Sequence, residues 1–128
     1  MSNRHGFTLA ELMVVVVIVG ILAVVAIPRL SYVKDRGFMA EMKSDLHNLA
    51  TRQEAFFYDW SIYTSDLVVL RTAGFQNSTG VTITIPEATA TGWSATARHS
   101  ASDLVCGLYV GSAGAVAGAA SEGVVGCQ

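Results

Sequence analysis

Residues 6–28 read GFTLAELMVVVVIVGILAVVAIP. Between Phe7 and Ile27 the only charge is Glu11, and from Leu12 to Ile27 only Gly20 interrupts the apolar run. A helix over Phe7–Ile27 would rise roughly 30 Å, the thickness of a bilayer's hydrocarbon core. The run is apolar all round rather than along one stripe, which excludes an ordinary surface helix. It must be buried in lipid or in other protein. A carboxylate inside hydrocarbon costs roughly 2.5–3.5 kcal/mol on insertion scales. Two readings follow for Glu11. It snorkels to the headgroups at one membrane face, or it meets a cation lying in the same apolar band. No Lys or Arg lies between Phe7 and Pro28. The nearest candidate cation is a new α-amino group, made by cutting the chain shortly before Glu11.

Gly6-Phe7-Thr8-Leu9-Ala10-Glu11, followed by a long apolar run with Gly20 and Pro28, resembles the N-terminal signature of type IV pilins and their relatives. The resemblance covers about the first quarter of the chain. It implies cleavage between Gly6 and Phe7 by a prepilin peptidase, and N-methylation of Phe7. Glu11 becomes the fifth residue of the mature chain, where the family keeps a glutamate, and Gly20 and Pro28 fall at family positions as assembly residues. The short leader and the Phe after the cut resemble the type IVa branch. The implied fold class is α+β: a long N-terminal helix packed on a small antiparallel sheet of three to four strands, with a C-terminal disulfide loop.

The expected organisation is a leader over residues 1–6, a transmembrane and assembly helix over 7–28, and an exported head over 29–128. The head comprises an amphipathic helix over 29–60 and a sheet over 80–128. An ordinary secretory signal is excluded, because the apolar part is too long and no small-x-small cleavage site follows it. Charge alone does not orient the segment: Arg4 and His5 lie on one flank, Arg29, Lys34 and Arg36 on the other. The resemblance implies leader in the cytoplasm, a single pass through the inner membrane and head outside, then a place on the cell surface after assembly.

One hundred and twenty-eight residues accommodate one modest domain beyond the apolar segment. Losing the leader removes Arg4 and leaves seven Lys/Arg against ten Asp/Glu. Such a balance is no electrostatic footprint for nucleic acid. Two cysteines, Cys106 and Cys127, stand in the last quarter. They are either two free thiols or a disulfide. An exported domain meets oxidising conditions, which favours the bridge, and the resemblance implies the same. Closing a loop of about twenty residues contributes roughly 3 kcal/mol in the chain-entropy model.

Pro28 lacks an N–H, so a kink or local melt is expected there. Beyond it Tyr32–Tyr58 reads as an amphipathic helix. Met39, Met42, Leu46, Leu49, Gln53 and Phe56/Phe57 form the inward stripe. Glu41, Lys43, Asp45, His47, Asn48, Arg52 and Glu54 form the polar face. One helix from Phe7 to about Tyr58 is expected, softened at Gly37. The aromatic cluster Phe56, Phe57, Tyr58, Trp60 and Tyr63 reads as core and hinge packing. The competing reading is an aromatic path for electrons that also uses Tyr32 and Phe38.

Ser65 is the expected cap of a short helix over Asp66–Thr72. Leu67, Val68, Leu70 and Phe75 would fasten it to the sheet. Asn77-Ser78-Thr79 fits a glycosylation sequon but reads as a polar turn before Gly80. Three strands follow. Val81, Ile83 and Ile85 point inward from the first, and Pro86–Gly92 turns. Trp93, Ala95 and Ala97 point inward from the second, which ends at His99. Leu104, Cys106, Leu108 and Val110 share one face of the third, Leu104–Val110. Gly111–Gly123 is small and flexible, and Val124–Cys127 returns as a short edge strand.

No catalytic constellation is present. His5, His47 and His99 lack metal-ligand spacing, and no phosphate-binding loop or nucleophile elbow follows a strand. No metal site, cofactor or enzyme activity is expected. Asp103 and Glu122 are the only carboxylates after Glu87, few for a calcium site. The major pseudopilins of type II secretion typically carry such a site and lack the C-terminal disulfide, so this chain resembles the pilin alternative. The expected function is a structural subunit of a type IV pilus, polymerised through its N-terminal helix, with adhesion, motility or DNA uptake as filament functions. The alternatives are a minor pilin, a type II secretion or competence pseudopilin, or a tip adhesin or DNA-binding pilin using a few residues such as Arg71 and Arg98. The implied partners are other copies and other pilins in a helical filament, the prepilin peptidase and methyltransferase, an inner-membrane assembly platform, and inner-membrane lipid before assembly.

Overall fold

A computed structural model describes residues 6–119 and 121–128. Of the expected leader only Gly6 falls among them; residues 1–5 lie outside. The chain forms two compact units, one ending at Lys34 and the other spanning Asp35–Gln128. The first helix, α1, runs Leu9–Trp60. In the first unit it buries none of its side chains. The helix is unbroken through Pro28, so the expected melt is absent from the isolated subunit. Pro28 has no N–H to give the Val24 carbonyl, which leaves one weak rung.

The second unit has a conventional core. Met42, Leu46 and Leu49 on α1 are wholly buried, with Met39 and Phe56 partly buried beside them. They meet Val81, Ile83 and Ile85 from β1 (Val81–Ala88), and Trp93, Ala95 and Ala97 from β2 (Gly92–His99). Cys106 and Leu108 come from β3 (Val105–Gly111). These are the inward positions that the alternation predicts. The strands form an antiparallel meander in the order β1-β2-β3-β4, with β4 the two-residue edge Gly126–Cys127.

Several expectations need correction. β1 does not end at Ile85; it continues through Pro86 to Ala88 across a register shift between Thr84 and Glu87. The proline is tolerated because β1 is an edge strand and the shift leaves it unpaired. β3 begins one residue later than expected. Asp45 is not on a solvent face but buried, accepting from the Ser78 amide (2.7 Å) and the Ser78 hydroxyl (3.0 Å). Helical periodicity cannot see the loop that crosses over it. Gln53, also buried, exchanges two hydrogen bonds with the Thr64 backbone and so ties the connecting segment to α1.

The second helix, α2, runs Leu67–Thr72 and is capped by Asp66 rather than Ser65. The Asp66 carboxylate accepts from the Val68 amide at 2.8 Å. At the other end Gly74 has φ +95°, and the Phe75 and Gly74 amides donate back to Leu70 and Arg71 carbonyls. That is a Schellman closure, in which a left-handed residue turns the chain back. Leu70 and Phe75 are buried and fasten α2, whereas Val68 faces solvent at 68% exposure. The Asn77 side chain donates to the Val81 carbonyl, so the 77–79 segment is a structural turn. Among the aromatics, Phe57 stacks on Tyr63 at 4.6 Å, as hinge packing requires. Tyr58 and Trp60 instead project outward.

Residues 111–119 lie over the sheet's outer face rather than forming the expected flexible loop. Ala113 is buried, and the Gly114 amide donates to Glu87. A β-carbon at Gly107 would overlap the Ala117 carbonyl oxygen. The Cys106–Cys127 disulfide joins β3 to the adjacent β4. His99 is structural: its ring stacks on Phe38 at 4.0 Å, and Nδ1 accepts from the Ala101 amide.

Gly107→Ala should cost about 1–3 kcal/mol by overpacking. Thermal denaturation should show a drop of about 4–8 °C per kcal/mol; an unchanged midpoint would show that this stretch does not press on β3. Tyr63 provides a second check. Partial burial, helped by its hydrogen bond to Glu54 (3.1 Å), raises its phenol above the ordinary value of 10.0. The protonated form is favoured by folding, so this contribution is complete below the unfolded value and lost as pH rises through the folded one. Phenolate absorbance should show one late-titrating tyrosine that Glu54→Gln moves earlier.

Candidate assembly site

The N-terminal unit presents one polar device. Helical geometry starts at Leu9, which makes Thr8 the N-cap residue and Glu11 the third residue of the helix. The first amides of any helix lack partners within it. Here the Thr8 amide donates to Glu11 Oε2 at 2.9 Å, and the Glu11 amide donates to Thr8 Oγ1 at 3.3 Å. The Thr8 hydroxyl also donates to Glu11 Oε2, at 2.8 Å. This reciprocal pair is a capping box, and it supplies the carboxylate with two donors from its own chain. The Thr-x-x-Glu spacing that makes it is visible in the sequence.

Phe7 lies just before the cap, 78% exposed. In the uncut chain its nitrogen is an amide and carries no charge. Around and beyond Glu11 the surface is hydrocarbon: Leu12, Met13, Val16 and Val17 are all more than half exposed. Gly20 has nothing within 4 Å of the position a β-carbon would take. No contact inside the subunit therefore requires a glycine there. Gly6, Phe7, Glu11, Gly20 and Pro28 thus lie along one segment, in which the Glu11 side chain is hydrogen-bonded to Thr8. Cys106 and Cys127, far along the chain, are paired with each other. Among the described residues one helix, Leu9–Trp60, is long and apolar enough to cross a membrane. Among the described residues no group of three His, Cys, Asp or Glu side chains is arranged to hold a metal ion.

Residues 1–27 match the family model described as the prokaryotic N-terminal methylation motif. The chain is 35% identical over 101 residues to the type IV wide pilus major component PilA4 of Thermus thermophilus, covering 78% of this chain and 77% of that protein. It is 46% identical over 61 residues to the type IV major pilin protein PilA of Myxococcus xanthus, covering 48% of this chain and 28% of the relative. It is 39% identical over 62 residues to the type II secretion system core protein G of Klebsiella michiganensis, covering 48% and 44%.

Removing the Thr8 hydroxyl should fray the start of α1. Thr8→Ala is expected to cost about 1 kcal/mol and to speed hydrogen exchange at the Ala10 and Glu11 amides of the micelle-embedded chain. Equal exchange rates in both proteins would show that the cap does not hold.

Proposed function

The chain belongs to the type IV pilin family and is a structural filament subunit; from that premise we propose that it polymerises through residues 7–28, after cleavage between Gly6 and Phe7 and methylation of Phe7. The observation that carries the reading is an unburied apolar helix whose one acid lies beside the proposed cut. Cleavage turns an uncharged amide into an ammonium group four residues from Glu11. Before assembly the segment rests in the inner membrane with the head outside. There the capping box lowers the penalty on the carboxylate by keeping two donors on it.

In the filament the Glu11 carboxylate pairs with the Phe7 ammonium of a neighbouring copy. An unpaired charge inside an apolar bundle is penalised by several kcal/mol, and pairing removes most of that. The pair therefore acts as a register device. Adhesion comes from the helix surface, at about 25 cal/mol per Å² of apolar area buried. Gly20 admits close approach of a neighbouring helix, and Gly20 with Pro28 brackets the stretch that gives way when the filament is pulled. The head, residues 29–128, forms the outer shell. The protein does no catalysis; its partners are other pilin copies, the processing peptidase and methyltransferase, and the membrane platform that adds subunits.

A pseudopilin role is the second reading, favoured by the likeness to the secretion core protein. That likeness stops at 62 residues. The Cys106–Cys127 bridge sits on the pilin side of the choice.

Intact-mass analysis of sheared surface filaments should find this chain beginning at N-methylated Phe7 and oxidised at both cysteines. Glu11→Gln should leave the protein processed and inserted while filament yield falls severalfold. Filaments built from chains that retain Gly6, or normal yield from Glu11→Gln, would overturn the mechanism.

A further inference from the structure

The connecting segment and the second half of α1 enclose a groove that the core does not use. Asn48, Arg52, Gly74 and Gln76 line one depression, of about 300 Å³. Phe56, Asp59, Trp60 and Val69 line another, of about 360 Å³. The two adjoin. Asn48, Arg52, Ala55 and Asp59 follow one another at helical spacing on a single face of α1. Consecutive residues Ala73 and Gly74 line one depression and the other.

The two ends differ in chemistry. At the polar end the Arg52 guanidinium lies over Gly74, 3.4 Å from where a β-carbon would sit. The side chains of Asn48, Arg52 and Gln76 have no hydrogen bond or ion pair among the described residues. At the other end the Phe56 and Trp60 rings stack at 6.2 Å, yet Trp60 remains 69% exposed. Asp59 stands beside these rings, some seven residues and so about 10 Å along the helix from Arg52. The exposed indole leaves an aromatic face on which a ligand can stack.

We propose that this groove binds an acidic oligosaccharide, with a sugar carboxylate on Arg52 and a pyranose ring stacked on Trp60. A pyranose has one face of C–H groups and a rim of hydroxyls. The C–H face suits the indole, and the hydroxyls suit the Asp59 carboxylate and the free amides of Asn48 and Gln76. A guanidinium takes a carboxylate with two parallel hydrogen bonds. The distance between the two ends selects a short oligomer over a single sugar. A nucleic acid fits less well, because its phosphates recur at every nucleotide and one would fall beside Asp59. The binding needs one subunit only and does not depend on polymerisation.

The full-length protein in detergent micelles should be titrated calorimetrically with trigalacturonate and, separately, with the neutral trimer maltotriose. Saturable binding of trigalacturonate is expected, with maltotriose much weaker. Arg52→Ala should weaken trigalacturonate about tenfold, the loss of one charge-assisted contact. Trp60→Ala should weaken both sugars, and Arg98→Ala neither. Far-ultraviolet circular dichroism of each variant confirms that it is folded. The inference is overturned if trigalacturonate gives no saturable heat, if Arg52→Ala binds it as wild type does, or if a single-stranded oligonucleotide binds as tightly. It is equally overturned if Arg52→Ala and Trp60→Ala abolish filaments while neither they nor wild type binds sugar, since the groove then seats a second copy. Filament assembly itself is read separately, so failure here leaves the filament reading standing.

Discussion

A carboxylate in an apolar helix must find donors, and everything at the N-terminus of this chain follows from that. Glu11 is the only charge between Phe7 and Ile27. Two partners are available to it at different times. The first is Thr8, which holds it in a capping box within the same chain. The second, under the proposed processing, is the ammonium group that cleavage before Phe7 would create. The first contact is neutral to ionic and local, so it satisfies the acid without joining subunits. The second is ionic and is worth most where water is excluded, which is the interior of a bundle. Because these partners differ in kind, the same residue suits both a membrane-held subunit and an assembled one.

The head solves a different problem. A four-stranded sheet has two faces to cover, and only one lies against α1. The other is covered by the small-residue stretch after β3, laid so close that Gly107 has no room for a side chain. The disulfide then holds β4, two residues long, against β3. A two-residue strand has too few ladder bonds to persist unaided, and a covalent tie reduces the freedom of the unfolded chain as well. Residues that look like filler, Gly and Ala, are what close packing on a sheet face demands.

Between these parts runs the connecting segment, tied down by polar groups as well as by the buried Leu70 and Phe75. Asp45 holds Ser78, Gln53 holds Thr64, and Asn77 holds Val81. Buried polar side chains are stable only when bonded, and Asp45 and Gln53 are both buried and each bonded to a backbone group of this segment. The segment so positioned leaves a groove against α1, lined by Arg52 and the largely exposed Trp60.

Much of this was legible in the amino-acid order alone. The apolar run, its single acid and the alternation of Val81-Thr82-Ile83-Thr84-Ile85 are local patterns, and local patterns report which face of an element is apolar. They were enough for the long helix, the inward faces of three strands and the membership suggested by residues 6–11. Other features came only from the folded chain. Asp45 reads as solvent-facing until the loop that carries Ser78 crosses above it, and Pro86 reads as the end of a strand until the edge position excuses it. The stretch after Gly111 reads as flexible until it is seen against Gly107. In each case the deciding partner is distant in sequence, and periodicity carries no information about what a remote segment brings to a residue's side.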